Sequence, residues 1–303
     1  MTAARTGSAA RVTAQAKVNL VLRVLAREAG GYHSLETVFL RIELADAVAV
    51  RLTAGRSLDC SGPELPFSGL GPTETNLAFR AAVAYADATG WPDGFAIEIE
   101  KRIPVGGGLG GGSADAGAVL RALDALSPSP LGRRLVEIAS PLGADVPFMS
   151  IESPMALAWG RGERLLPLAA LAPRPMLIVV PEFGVSTAEA YGWLASARGG
   201  YVPEGQVFAP EALASWERLA AIATNDFEPV VARHHPEVAE LVDELRSMDA
   251  VIAMMSGSGS AVFGVFDSAP DVAAIVRSHA GQDGIRAFPT HTSERVSSID
   301  VTG

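Results

Sequence analysis

Residues 95–100, Phe-Ala-Ile-Glu-Ile-Glu, alternate apolar and polar positions with the period of two that marks a half-buried strand. Past a glycine-rich run, Ala116, Val119, Leu120, Leu123 and Leu126 recur at helical spacing until Ser127-Pro128 stops them. The same reading predicts one or two strands in residues 12–25, further strands at 34–42 and 47–50, and at most one short strand within an irregular 55–72. Leu77, Ala78, Ala81, Ala82 and Tyr85 form one helical face behind Thr75-Asn76, a plausible cap. A turn at 91–94, a short amphipathic helix at 131–139 and a hairpin over 155–168 around Gly160-Arg161-Gly162-Glu163 follow. Proline-rich residues 167–175 suggest a domain seam before a buried strand at 176–180. Ser186 and Glu189 have capping-box spacing for the next helix, and helical patterns recur at 225–229, 236–248 and 271–279. The last residues look polar and tail-like. Strands and helices in this mixture predict an α/β (α+β) protein.

Composition narrows the class. With 303 residues, 49% apolar and 19% charged, the chain is long enough for two globular domains. No apolar run reaches the roughly 18 residues of a spanning helix, and residues 1–10 carry no secretory pattern, so a soluble cytoplasmic protein is expected. Cys60 is the sole cysteine and has no partner for a disulfide or a metal site. It sits in a turn-like polar stretch and is read as incidental. A net charge of −10 opposes nucleic-acid and anionic-membrane binding. A small anion is compatible with that charge only where local donors override it.

Such donors are offered by Pro104, Val105, Gly106, Gly107, Gly108, Leu109, Gly110, Gly111, Gly112, Ser113 and Ala114, six of eleven being glycine. Between a strand and a helix N-terminus, this loop offers free N–H groups and the positive end of a helix dipole to a phosphate. Gly106-x-Gly108-x-x-Gly111 also satisfies the dinucleotide fingerprint, but no acidic residue follows at a strand end about 20 residues on. The Gly-Lys-Ser/Thr ending of a P-loop is absent, and an unliganded turn is the remaining alternative. Lys17 and Asn19, two apart on a strand, share a face and point either into one pocket or to solvent. His33, after Tyr32, is a surface histidine or a partner for a polar ligand edge. Asp145, among apolar and small residues, is a helix cap or a partly buried carboxylate needing a cation. Tyr191 fits a core position, and the adjacent His234 and His235 read as solvated. The Ser-Gly repeat at 256–260, flanked by apolar residues, is placed inside the fold, where it could support an anion or the main glycine loop.

Taken together, residues 14–20 (Ala-Gln-Ala-Lys-Val-Asn-Leu), Gly31-Tyr32-His33, the loop 104–113, residues 142–148 (Leu-Gly-Ala-Asp-Val-Pro-Phe), Gly160-Arg161-Gly162-Glu163 and residues 256–260 resemble the superfamily of galactokinase, homoserine kinase, mevalonate kinase and phosphomevalonate kinase. Within it they resemble the branch whose acceptor is 4-diphosphocytidyl-2-C-methyl-D-erythritol. The resemblance implies the two-domain GHMP kinase fold: an N-terminal ribosomal-protein-S5-domain-2-like nucleotide domain over 1–165 and a C-terminal ferredoxin-like α/β substrate domain over 166–303. It implies Lys17 and Asp145 as the catalytic pair, the loop as the ATP phosphate cradle, and Asn19, Tyr32, His33, Thr187 and Tyr191 as substrate-binding residues. Tyr32 and His33 would take the cytidine end, and Tyr191 would stack on the base. ATP and Mg²⁺ are implied cofactors, with Ser113 one candidate metal ligand. Ala114 departs from the commoner second serine of the loop, removing one hydroxyl contact. A homoserine or mevalonate kinase and a catalytically silent binding module are the competing expectations. The silent module would be expected to lack the Lys17–Asp145 pair.

Overall fold

The computed structural model describes residues 8–27, 33–201, 203, 209–279 and 284–303. Two long antiparallel strands, β1 (Ala9–Arg27) and β2 (His33–Leu52), open the chain. The two separate stretches expected at 34–42 and 47–50 join into one strand because β2 pairs with β1 over nearly its whole length. Register shifts at Gln15/Lys17 and Asn19/Val21 absorb the irregularities. There follow β3 (Arg56–Ser61), α1 (Leu77–Thr89), β4 (Phe95–Glu100), α2 (Gly111–Leu126), α3 (Leu135–Ala139), α4 (Val146–Ser150), β5 (Met155–Gly160) and β6 (Arg164–Pro167). Beyond the proline-rich stretch come β7 (Pro175–Pro181), α5 (Thr187–Arg198), α6 (Trp216–Ile222), β8 (Thr224–Asn225), α7 (Glu228–His234), α8 (Glu237–Ser247), β9 (Ile252–Met255), β10 (Val262–Val265), α9 (Val272–Ser278), β11 (Ile285–His291) and β12 (Ile299–Thr302).

The first sheet runs β12-β1-β2-β4-β3, with β5 paired to β2, β6 paired to β5 and the short β8 parallel to β1. The second is four-stranded and antiparallel, β11-β7-β10-β9. Helix α2 is buried on almost every face and packs on β1, β2, α1 and α4. Its abundance of Ala and Gly permits that closeness: a Cβ at Gly117 would lie 2.5 Å from the Met149 backbone of α4. A second apolar cluster joins β7, β9 and β10 to α5, α7 and α8.

Three local expectations are corrected. The polar tail is instead β11 and β12, with Val12 opposite Ile299 and Ala9 opposite Thr302. Alternately half-buried and exposed residues give these edge strands a polar look in sequence. Cys60 lies half-buried in β3, paired with Ile99 of β4, and not in a turn. His234 and His235 are not merely solvated: His234 stacks on Trp193 (centroids 4.1 Å) and His235 on Phe183 (4.3 Å). The Ser186–Glu189 capping box and the Asn76 cap form as expected.

Candidate active site

Lys17 stands at the centre of the site. Between the first two register shifts of β1 its side chain is 4% exposed, and burying an ammonium is costly without partners. Three oxygens surround it. Nζ donates to Asn19 Oδ1 (2.7 Å) and to the Gly108 carbonyl (3.0 Å), and lies 3.4 Å from Asp145 Oδ2. Asn19, on the shared face, donates in turn to Thr37 Oγ1 (2.7 Å), and Thr37 donates to the Val21 carbonyl. Nothing in the residue pattern singles out Thr37, whose role is to fix the amide's orientation across the β1–β2 ladder.

Asp145 precedes α4, but its carboxylate makes no capping bond. The capping alternative therefore falls, and the carboxylate needing a cation is what the structure contains. Its side chain is 28% exposed, accessible to a ligand on one side and paired with Lys17 on the other. Its backbone is held by a close approach: a Cβ at Gly162, in the β5–β6 turn, would lie 2.2 Å from the Ala144 carbonyl oxygen.

The glycine loop leads from β4 into α2. Gly108 has φ +75° and Gly110 φ +71°, a region that strains side-chain-bearing residues. A Cβ at Gly108 would sit 2.1 Å from the Ser256 carbonyl oxygen, and one at Gly110 would meet the Lys17 stem at 3.0 Å. The second glycine segment does brace the first: Ser256 Oγ donates to the Gly108 carbonyl (3.0 Å) and Ala261 N–H to the Gly107 carbonyl (3.3 Å). Asn225 holds this brace through Nδ2 bonds to the carbonyls of Met255 and Gly257, both 2.8 Å. The loop encloses a pocket of about 240 Å³ lined also by Leu70, Thr75, Asn76, Leu77, Lys101 and Asp115. A larger cavity, about 1050 Å³, lies elsewhere, lined by Arg121, Leu135, Glu152 and Leu165 among others. It touches neither Lys17 nor Asp145, so volume is not what marks the site.

Beneath the loop lies a charged cluster that the sequence did not announce. Lys101 is bonded to both Asp46 and Asp115 (2.6 Å to the latter), all three buried. Asp46 also accepts from the N–H groups of Arg102 and Ile103 (2.5 and 2.8 Å), pinning the residues that enter the loop. Burial opposes the Lys101 charge, but Asp115 and Asp46 outweigh it and hold the ammonium above its usual range.

From the other half of the chain, Thr187 Oγ1 lies 3.1 Å from Ser258 Oγ, joining the start of α5 to the second glycine segment. Tyr191 packs edge to face on Phe227 (4.9 Å). Its phenol is pushed up by burial and then by the charge of Asp145, which places ring and carboxylate in one electrostatic neighbourhood. Tyr32 and the His33 side chain fall outside the described residues.

The GHMP kinases N terminal domain family matches residues 76–152, and the GHMP kinases C terminal family residues 209–282. The chain is 38% identical to the 4-diphosphocytidyl-2-C-methyl-D-erythritol kinase of Salinibacter ruber over 89% of this chain and 94% of that one. It is 42% identical to the enzyme of that name from Pelotomaculum thermopropionicum over 87% and 92% respectively. The crystal structure of a 4-(cytidine 5'-diphospho)-2C-methyl-D-erythritol kinase superposes with a TM-score of 0.73 at 37% identity, covering 93% of this chain and 99% of that one. The chain belongs to the 4-diphosphocytidyl-2-C-methyl-D-erythritol kinase family of GHMP kinases.

In this GHMP kinase the cluster under the glycine loop has a consequence for stability. Burial, chiefly, raises the Asp115 carboxyl to about 7 from 3.8. Between those values the folded protein holds more protons at Asp115 than the unfolded chain does, so stability falls as pH rises through about 7. The urea midpoint of the wild type should drop between pH 6 and pH 8 more than that of Asp115→Asn, whose amide does not titrate. Parallel pH curves for the two proteins would show that Asp115 does not behave this way.

Proposed function

We propose that this kinase transfers the γ-phosphoryl group of ATP to the 2-hydroxyl of 4-diphosphocytidyl-2-C-methyl-D-erythritol, a step of non-mevalonate isoprenoid biosynthesis. The observation that carries the reading is the triple contact of Lys17 with the Gly108 carbonyl, Asn19 and Asp145. One ammonium thereby ties the phosphate cradle to an accessible carboxylate. Phosphoryl transfer depends mainly on positioning and electrostatics, and this arrangement supplies both.

In the mechanism we infer, Asp145 accepts the proton of the substrate hydroxyl as its oxygen attacks the γ-phosphorus and ADP leaves. Lys17 pairs with that carboxylate and stabilises charge on the transferred group. Asn19 orients the acceptor, while Tyr32 and His33 take the cytidine and Tyr191 stacks on its base. Thr187 supplies a hydroxyl to the same pocket. We assign residues 1–165 to an ATP-binding domain, which also lends Asn19, Tyr32 and His33 to the acceptor, and residues 166–303 to a substrate domain, which supplies Thr187 and Tyr191. Among the described residues no group of three or more His, Cys, Asp or Glu could hold a metal ion. Mg²⁺ thus fits as a companion of the ATP phosphates that keeps most of its waters, with the Ser113 hydroxyl at the start of α2 available to it. When bound it would neutralise phosphate charge. No helix among the described residues is long and apolar enough to cross a membrane, and we read the site of action as the cytoplasm.

A substrate panel tests the proposal. ATP consumption should require the cytidine-linked acceptor and be inhibited by CDP, whereas turnover of homoserine or mevalonate instead would refute it. Tyr191→Ala should raise the KM of the cytidine-linked acceptor roughly 3- to 10-fold, the scale of one aromatic contact, and leave the KM of ATP unchanged. An unchanged acceptor KM would remove Tyr191 from the base.

A further inference from the structure

Helix α4 is only five residues long, too short to hold its direction through its own hydrogen bonds. Yet the residue that opens it, Asp145, must keep its carboxylate beside Lys17. Lys17 and Arg41 are direct partners in the β1–β2 ladder, so their side chains leave the same face of the sheet. They reach opposite ends of α4. Lys17 meets Asp145 at the front, while Arg41 Nη2 lies 2.9, 3.0 and 3.1 Å from the carbonyl oxygens of Phe148, Met149 and Ile151 at the back. Arg41 Nε donates to the Ser153 carbonyl (3.2 Å).

Phe148 and Met149 lie in the last turn of α4, where carbonyls lack the usual fourth-residue donor, and the Phe148 oxygen otherwise has only the 3.4 Å bond from the Ile151 N–H; Ile151 and Ser153 lie just past the helix. A cation is favourable there because it faces the negative end of the dipole. Arg41 is 2% exposed, and among the described residues no carboxylate pairs with its guanidinium. A buried charge so placed is costly, and its partners are the carbonyls of the α4 end and the segment that follows. Phe148 fills the space between, stacked on Phe39 (centroids 4.9 Å) and lying under the Arg41 Cζ (5.0 Å). At about 1.5 Å per residue α4 spans roughly 7.5 Å, a length that one neighbouring pair of cations with long stems can bracket.

We propose that Arg41 is a positioning residue for phosphoryl transfer: it fixes the C-terminal end of α4 so that Asp145, at the other end, stays in contact with Lys17. Arg41 touches neither the glycine loop nor the acceptor pocket. Its loss should therefore displace the carboxylate without loosening ATP. Burial lowers the guanidinium to about 9, with Arg121 adding to the effect, which still leaves it charged at neutral pH. Lysine carries the same charge but lacks the planar fork that serves several acceptors at once.

The inference rests on Asp145 being the proton acceptor, and a double-mutant cycle separates the two. Arg41→Lys should lower kcat about tenfold or more, as small misplacements of a reacting group do, with the KM of ATP within about twofold of wild type. Added to Asp145→Asn, the same change should lower kcat by less than about twofold, because there is no carboxylate left to position. Arg41→Gln, which keeps one amide donor without the charge, reads the same cycle should lysine not be accommodated. Wild-type kcat in folded Arg41 variants, or equal losses in both backgrounds, would overturn the proposal. Wild-type kcat in Asp145→Asn alone would instead remove the carboxylate from the reaction and the positioning role with it.

Discussion

Asp145→Asn should lower kcat by about 10²-fold or more, the usual scale for a positioned acid-base group, while the fold and the KM of ATP stay near wild type. Asparagine has nearly the same shape, and the side chain is 28% exposed, so no core packing is lost. What disappears is the proton acceptor and its attraction to Lys17, which keeps its bonds to Asn19 and Gly108. A hundredfold loss corresponds to about 2.7 kcal/mol of transition-state stabilisation. Steady-state kinetics at saturating substrates decide the matter, since wild-type kcat in this variant would exclude Asp145 from the chemistry.

Gly108→Ala should have the other large effect, and a different one. Its φ of +75° already strains an alanine, and the added methyl would lie 2.1 Å from the Ser256 carbonyl oxygen, which is backbone. The brace between the two glycine segments must then open, and the Gly108 carbonyl moves away from Lys17 and from the Ser256 hydroxyl. Strained backbone of this kind costs about 1–3 kcal/mol, to which the lost bonds add. A fall in thermal midpoint together with a rise of tenfold or more in the KM of ATP is expected. Gly55→Ala, outside the glycine loop, is the control, because a Cβ there meets nothing within 4 Å. Equal behaviour of the two variants would contradict the bracing role.

Much of this site was legible in the chain because it is local. The strand, glycine loop and helix at 95–126 are contiguous, and two-residue spacing was enough to put Lys17 and Asn19 on one face. The capping box at Ser186 and the β5–β6 hairpin are likewise short-range. Asp145 was ambiguous because a cap and a buried carboxylate look alike until a partner is known, and Lys17 comes from a distant strand. The Asp46–Lys101–Asp115 cluster was invisible for the same reason: its three residues come from β2, the end of β4 and α2. The last residues read as a tail because half-buried edge strands carry polar residues, and the pairing of β12 with β1 is long-range. His234 and His235 looked solvated because their stacking partners, Trp193 and Phe183, lie on other segments.

The most direct test of phosphoryl transfer at Lys17 and Asp145 is phosphorus NMR of the product formed from ATP and 4-diphosphocytidyl-2-C-methyl-D-erythritol. The expected result is ADP and one new phosphomonoester on the erythritol 2-oxygen, absent with Asp145→Asn on the same timescale. No phosphomonoester, or one at another hydroxyl, would contradict it.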